Sequence, residues 1–449
     1  METTRLTSRE KFGYALGDVA SNFFWQMFAI FMAKFYTDVF MLGAATLGTM
    51  LLVTRVGDAF VDPVVGMLAD RTRTRWGRFR PYLVWMALPM AATAVLAFTT
   101  PALEGDAKVV YAYVTLSLMM IAYSAINIPY SALLGVLTPD SAERTSASAW
   151  RFALALLPVF VIVNLTLPMA EAFGGADNPQ RGWMLTMAVY SAAAVLLFVL
   201  TFFMTRERVE PAVQEPVSLR TDLGDLRRNL PWLVVSFVGI AALVHSNMRA
   251  AAGVYFFEQV VPGGSTWFGP VMTSGAVAFI AGVLVTTPLA RRFGKRRLYI
   301  ASMLATAAAT ASLYWVPVDN LPLVWASQVA VSLFAAPTAP LIWAMYADTA
   351  DYSEWRSGRR ATGLVFSAAS FTQKVGWALG GAGVGWLLAF FNYQPGSVAD
   401  PGTLHGITLM MSLIPAAAAL LAALAMFLYP LDEQRVRAIT SEIADRRAA

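Results

Sequence analysis

Long apolar runs alternate along this chain with short polar segments. The runs fall near 12–40, 44–69, 80–100, 108–135, 149–172 and 183–204. They resume near 231–257, 266–290, 298–316, 320–347, 361–391 and 404–429. At about 1.5 Å of rise per residue, most are long enough for a helix to cross the roughly 30 Å hydrocarbon core of a bilayer. The pattern predicts an all-α membrane protein with twelve transmembrane helices. One interior stretch breaks the rhythm: Thr205–Leu230 is polar, charged and holds two prolines. The predicted organisation is an N-terminal six-helix half over 1–204, a cytoplasmic linker over 205–230, a C-terminal six-helix half over 231–430 and a cytoplasmic tail over 431–449.

Composition agrees with that pattern. The 449 residues are 57% hydrophobic and 14% charged, where soluble domains carry about 25% charged residues. The formal net charge of +5 would suggest nucleic acid in a soluble chain, but its placement explains it otherwise. With both termini cytoplasmic, every lysine and arginine lies in a cytoplasmic segment except Lys34, Arg55, Lys108, Arg151, Arg181, Arg249 and Lys374. This is the positive-inside rule, so no nucleic-acid partner is expected. The chain has no cysteine, and its two histidines, His245 and His405, are too few for an all-histidine metal site. No metal set, nucleophile–base pair or phosphate loop appears, so neither an enzyme nor a cofactor is expected. The N-terminus lacks an apolar core followed by a small-residue cleavage site, so no cleaved signal peptide is expected.

The two halves echo each other. After the second span comes GMLADRTRTRWGRFRPYL (Gly66–Leu83), and after the eighth TPLARRFGKRRLYI (Thr287–Ile300). After the fourth comes IPYSALLGVLTPDSAERTSASAWRF (Ile128–Phe152), and after the tenth APLIWAMYADTADYSEWRSGRRATGLVF (Ala339–Phe366). Six plus six spans with matching loops is the pattern of the major facilitator fold.

The chemistry sits on polar residues inside the spans. Asp58 and Asp62 are four residues apart and share one helix face. A carboxylate at mid-bilayer costs about 2.5–3.5 kcal/mol on insertion scales, so two on one face mark a place for a positive ion. Asp18 and Asn22 are also four apart, and a carboxylate beside an amide suits sugar hydroxyls. Arg151 and Lys374 lie in opposite halves. The planar fork of Arg151 could hold two hydroxyls or a carboxylate. Arg249 and His245 form either a substrate or gating contact or a structural polar cluster. Trp25, Trp343 and Trp377 fall within spans, and Trp343 is the best placed to pack on a sugar ring. Asp70, Arg71, Arg144, Asp348, Asp351, Glu354 and Arg359 gather at cytoplasmic helix ends. They are expected to form ion pairs that hold the outward-facing state and part when it turns inward.

GYALGDVASNFFW (Gly13–Trp25), FYTDVF (Phe35–Phe40), RVGDAFVDPVVGMLADRTRTRWGRFRPY (Arg55–Tyr82), IPYSALLGVLTPDSAERTSASAWRF and DTADYSEWRSGRRATGLVFSAASFTQKVG (Asp348–Gly376) together resemble the glycoside–pentoside–hexuronide:cation symporters. The resemblance covers the whole chain. It implies a major-facilitator protein that moves a sugar with a cation by alternating access. Asp58 and Asp62 match the carboxylates of the family's cation site, and Ser124 falls where a threonine hydroxyl lies near the ion. Asp18, Asn127 and Arg151 fall at or beside its sugar-binding positions, and Lys374 matches a lysine that faces the cavity. Three departures stand out: Val61 replaces an asparagine between the two carboxylates, Asn127 an aspartate and Ser131 a tryptophan. Sodium prefers a set of hard oxygen ligands, whereas two close carboxylates can share a proton because they resist carrying two negative charges at once. The expectation is therefore a monomeric symporter of the bacterial inner membrane. It would import a glycoside, pentose- or hexuronide-type sugar between its halves, with H⁺ favoured over Na⁺. A lysolipid or other amphiphile carrier of the same fold is the second reading.

Overall fold

The computed structural model describes residues 5–175, 177–209, 226, 228–357, 362–395 and 400–448. Most of the expected linker, and Arg359, lie outside the described residues. The chain divides into two compact units, Met1–Gln214 with Pro395–Ser397 and Glu215–Gln394 with Val398–Ala449.

The first unit is built from α1 (Ser8–Gln26), α2 (Ala44–Arg71), α3 (Arg80–Trp85), α4 (Ala87–Ala97), α5 (Gly105–Leu137), α6 (Ser141–Leu154), α7 (Leu156–Gly174) and α8 (Pro179–Met204). The second holds α9 (Leu230–Tyr255), α10 (Gly264–Phe293), α11 (Lys295–Ser312), α12 (Leu321–Ala335), α13 (Thr338–Ser357), α14 (Thr362–Phe390), α15 (Pro401–Met411), α16 (Leu413–Met426) and α17 (Glu433–Ala448). Among the described residues, nine helical stretches are long and apolar enough to cross a membrane. The other three predicted spans, the first, second and eleventh, are helical too, and they are the ones that carry Asp18, Asp58, Asp62 and Lys374.

Several predicted spans are two helices rather than one, and proline is the reason. A proline inside a helix clashes with the carbonyl four residues back and donates nothing to it. Pro89, Pro158 and Pro415 each sit four residues beyond the last residue of a helix, at Trp85, Leu154 and Met411. The first span departs from a regular helix in another way. Beyond α1 it runs through two π-helical turns, Met27–Phe31 and Phe35–Val39. These wider turns bring Phe35 against Phe98, with ring centroids 4.9 Å apart, and against Trp183 at 6.0 Å. The pair of buried Lys34 and half-buried Asp38 closes the same segment.

The two units repeat one packing scheme. In the first, α1 packs on α6 and α8, α2 on α5, and α4 on α8. In the second, α9 packs on α14 and α16, α10 on α12, and α11 on α16. In span order, each unit pairs its first span with its fifth and sixth, its second with its fourth, and its third with its sixth.

Each unit also closes the loop after its second span with a glutamate from the segment after its sixth. Glu207 accepts from the backbone amides of Arg78, Phe79 and Arg80, each at 2.8 Å. Glu433 accepts from the amide of Lys295 at 3.1 Å. Both loops turn through a glycine at positive φ, Gly77 at 112° and Gly294 at 83°. At Gly77 a Cβ would also lie 2.5 Å from the Glu207 carboxylate, so the turn and the latch require the same residue. The start of α1 is tied in alongside. Thr7 and Glu10 form a capping box, and Glu10 meets Arg208. Burial alone would raise the Glu10 pKa, but the Thr7 amide, the Arg208 guanidinium and the Thr7 hydroxyl together hold it below the ordinary carboxylate range.

Hydrogen bonds to a charged group contribute about 1.5–3 kcal/mol each. Glu207→Ala is therefore expected to lower the thermal unfolding temperature of the detergent-solubilised protein. Glu207→Gln, which keeps one acceptor oxygen, should lower it less. Equal unfolding temperatures for all three proteins would remove the latch from this account.

Candidate transport site

The polar groups of the first unit gather into two adjoining clusters. In the first, Asp58 and Asp62 lie one turn apart on α2, and Ser124 faces them from α5. The Ser124 Oγ is 2.7 Å from Asp58 Oδ1 and 2.7 Å from Asp62 Oδ1. Asp58 and Ser124 are buried. A serine hydroxyl has one proton to donate and otherwise only accepts.

The second cluster joins α1, α5 and α6. Arg151 Nε lies 3.1 Å from Asp18 Oδ1. The Asn22 amide donates to the Asp18 backbone carbonyl at 2.8 Å and lies 3.3 Å from Asp18 Oδ2. Asn22 thus steadies Asp18 from the next turn of the same helix. Tyr130 stacks on Tyr14 with centroids 4.9 Å apart, donates to the Tyr14 carbonyl at 2.8 Å, and presents its ring to Arg151 at 5.9 Å. A side chain at Gly17 would strike that ring, since a Cβ there would lie 2.4 Å from Tyr130 Cε2.

Arg55 and two aromatic rings link the clusters. The Arg55 side chain is buried one turn before Asp58. Its guanidinium lies 4.4 Å from the Trp25 ring and 3.8 Å from the Phe28 ring, an arrangement that holds a cation by ring quadrupoles. Its Nε and one terminal nitrogen have no hydrogen-bond partner among the described residues. Trp25 in turn packs on Tyr123 at 5.8 Å. Tyr123 lies within electrostatic reach of Asp18, Arg55, Asp58 and Arg151 together.

The remaining candidates are placed as follows. Asn127 is half-buried on α5, one turn beyond Ser124. In the second unit, Lys374 is half-buried on α14, and Trp343 on α13 is exposed beside Tyr346, at 5.9 Å. Arg249 is buried on α9 and donates to the Met411 carbonyl and, at 2.6 Å, to Gln328 Oε1. The Met411 carbonyl is the one that Pro415 releases from its helix, so Arg249 answers a break in α15–α16. His245 meets the Thr310 hydroxyl at 3.0 Å, and the Asn247 amide donates to the Trp377 carbonyl at 2.6 Å. These contacts support the structural of the two readings left open for this group. Of the predicted cytoplasmic charges, Asp348 pairs with Lys295, within one unit. Asp351 and Glu354 are half-buried on α13, and Asp70 and Arg71 are exposed at the end of α2. Arg144 lines an open surface pocket with Ser131, Thr145 and Ser148.

Sequence reasoning gave no site role to Tyr14, Tyr123, Tyr130, Gln328, Glu207 or Glu433. Tyr130 stands in the IPYSA motif and Tyr14 in the GYALGD motif, which were visible signals. The others stand in no such motif and matter only through what they meet.

Two pseudo-repeated units of apolar helices, with buried charged groups such as Asp18, Arg55 and Asp58 inside the first, have the architecture of the major facilitator class. Comparison with known proteins agrees and narrows the class. The family described as "MFS/sugar transport protein" matches residues 13–433. YagG of Escherichia coli (strain K12), a protein named for glycoside/cation symport, is 37% identical over 99% of this chain and 97% of its own. The isoprimeverose transporter of Lactiplantibacillus pentosus is 34% identical over 94% of this chain and 89% of its own. Among solved structures, the nucleoside transporter NupG superposes with a TM-score of 0.64 over 94% of this chain and 99% of its own, at 12% identity, a likeness of fold alone. The chain belongs to the MFS/sugar transport family, as a member of the glycoside–pentoside–hexuronide:cation symporters. Its work is cation-coupled sugar transport and not catalysis.

Removing one partner of a shielded ion pair leaves the other charge uncompensated. Asp18→Asn and Arg151→Gln are each expected to lower the unfolding temperature, and the double variant should recover part of that loss. Sugar binding, read by isothermal titration or ligand-induced stabilisation, should be lost in all three. A double variant that still binds sugar would make the pair purely structural.

Proposed function

We propose that the chain imports a glycoside, pentose- or hexuronide-type sugar together with a proton, by alternating access. The observation that carries the coupling ion is the oxygen trio Asp58–Ser124–Asp62. Two contacts of 2.7 Å are best met by two protons, and the serine supplies one. The proposed coupling proton, received by the carboxylate pair, would supply the second. Val61 supports the same reading, because it offers no oxygen to a sodium ion between the two carboxylates.

Asp18, Asn22 and Arg151 offer the matched acceptors and donors that a polyol needs, which supports a sugar over a lysolipid. Lys374, Trp343 and Asn127 are assigned to substrate contact on the family resemblance. The asymmetry of the basic loops supports both termini being cytoplasmic, and the family resemblance supports the bacterial inner membrane, with a monomer as the proposed working unit. The charged helix ends from Asp70 to Glu354 remain the proposed cytoplasmic gate.

The test is counterflow and concentrative uptake of labelled glycosides, pentoses and uronides in proteoliposomes, with pH and Na⁺ varied separately. Wild-type protein should concentrate its sugar with an inward proton gradient and show no response to Na⁺. Asp58→Asn should lose concentrative uptake by about tenfold or more, equivalent to ~1.4 kcal/mol of coupling, while keeping exchange. Ser124→Ala should weaken coupling less severely. Uptake driven by a sodium gradient at constant pH would overturn the proton assignment, and absence of exchange across the whole panel would overturn the sugar.

A further inference from the structure

The two glutamate latches are not equal. Glu207 satisfies three amides, whereas Glu433 satisfies one. Beside the second latch lies an open cavity of about 540 Å³, bordered by Arg291, Arg292, Arg296, Arg297 and Arg437. That volume falls in the range of about 300–1,000 Å³ common to small-molecule sites. The acidic groups at its edge are already engaged. Asp432 caps α17 by accepting from the Arg435 amide at 2.8 Å, and Glu433 holds the Lys295 amide. Lys295 itself pairs with Asp348. Arg296 donates to the carbonyls of Met426 and Phe427, at the end of α16.

Four guanidinium groups remain. Arg291, Arg292, Arg297 and Arg437 are exposed and have no ion-pair partner among the described residues. One wall of the same cavity is apolar. Phe293 and Phe427 border it at 49% and 54% exposure, and Leu428 follows at 69%. A cluster of forked cations attracts a phosphate, with which guanidinium forms paired hydrogen bonds. Exposed rings beside it, at the end of apolar helices, suit acyl chains. A free phosphate would use the first feature and leave the second idle. A zwitterionic headgroup would bring its own cation against four arginines.

We propose that this cavity binds the phosphodiester headgroup of an anionic phospholipid such as phosphatidylglycerol, with the lipid bridging the α10–α11 loop to α17. Basic pockets at helix ends commonly hold such headgroups. The lipid would add an anionic contact beside the single amide that Glu433 holds in the second unit.

The experiment is native mass spectrometry of the full-length protein released from detergent, titrated with phosphatidylglycerol or phosphatidylcholine. The proteins compared are wild type, the triple variant Arg291→Gln/Arg292→Gln/Arg437→Gln, and the control Arg73→Gln/Arg75→Gln on the other basic loop. Wild type and control should retain phosphatidylglycerol about tenfold or more over phosphatidylcholine, and the triple variant should retain the two equally. Arg292→Glu, a single reversed charge at an exposed position, should weaken retention in the same direction and serves if the triple variant does not fold. Equal retention of both lipids by wild type would overturn the proposal. So would undiminished phosphatidylglycerol on the folded variants, or displacement of the lipid by millimolar inorganic phosphate.

Discussion

Charge in an apolar interior has to be met by charge, by a ring face or by a proton, and that constraint organises the first unit. Asp18 is met by Arg151, Arg55 by the rings of Trp25 and Phe28, and Lys34 by Asp38. In the Asp58–Ser124–Asp62 trio two carboxylates share one hydroxyl. Two close groups of like charge are costly in low dielectric, which is the physical basis of the proposed cation coupling.

The backbone obeys the same economy. Each proline that breaks a span releases a carbonyl, and in the second unit Arg249 takes the one at Met411. Arg249, for which the sequence leaves a substrate, gating or structural role open, here meets a carbonyl that proline frees, which supports the structural reading. Gln328 receives the other arm of the fork, so that fork answers a structural need. The glutamate latches meet a comparable need at the helix ends, where the amides after a tight turn have no helical partner. Glu207 and Glu433 provide it in corresponding places, which is a stronger sign of internal repetition than any match of letters between the halves.

Much of this protein was legible from its sequence. Twelve apolar runs, a polar divide near the middle and basic segments on alternate loops point to a helical membrane protein in two halves, because hydropathy and loop charge are local properties that survive without coordinates. The pairing of Asp58 with Asp62 follows from a spacing of four on one helix. Motifs such as D-x-x-x-D-P and R-W-G-R-x-R-P fix the family, since each combines chemistry with spacing. Tertiary structure alone decided which groups meet across helices. No spacing tells that Ser124 bridges both carboxylates, that Tyr130 lies flat on α1 at Gly17, that Arg55 rests on aromatic rings, or that Glu207 reaches back to the loop at Gly77. Those contacts join residues far apart in the chain, and their partners are set by packing, which periodicity does not encode.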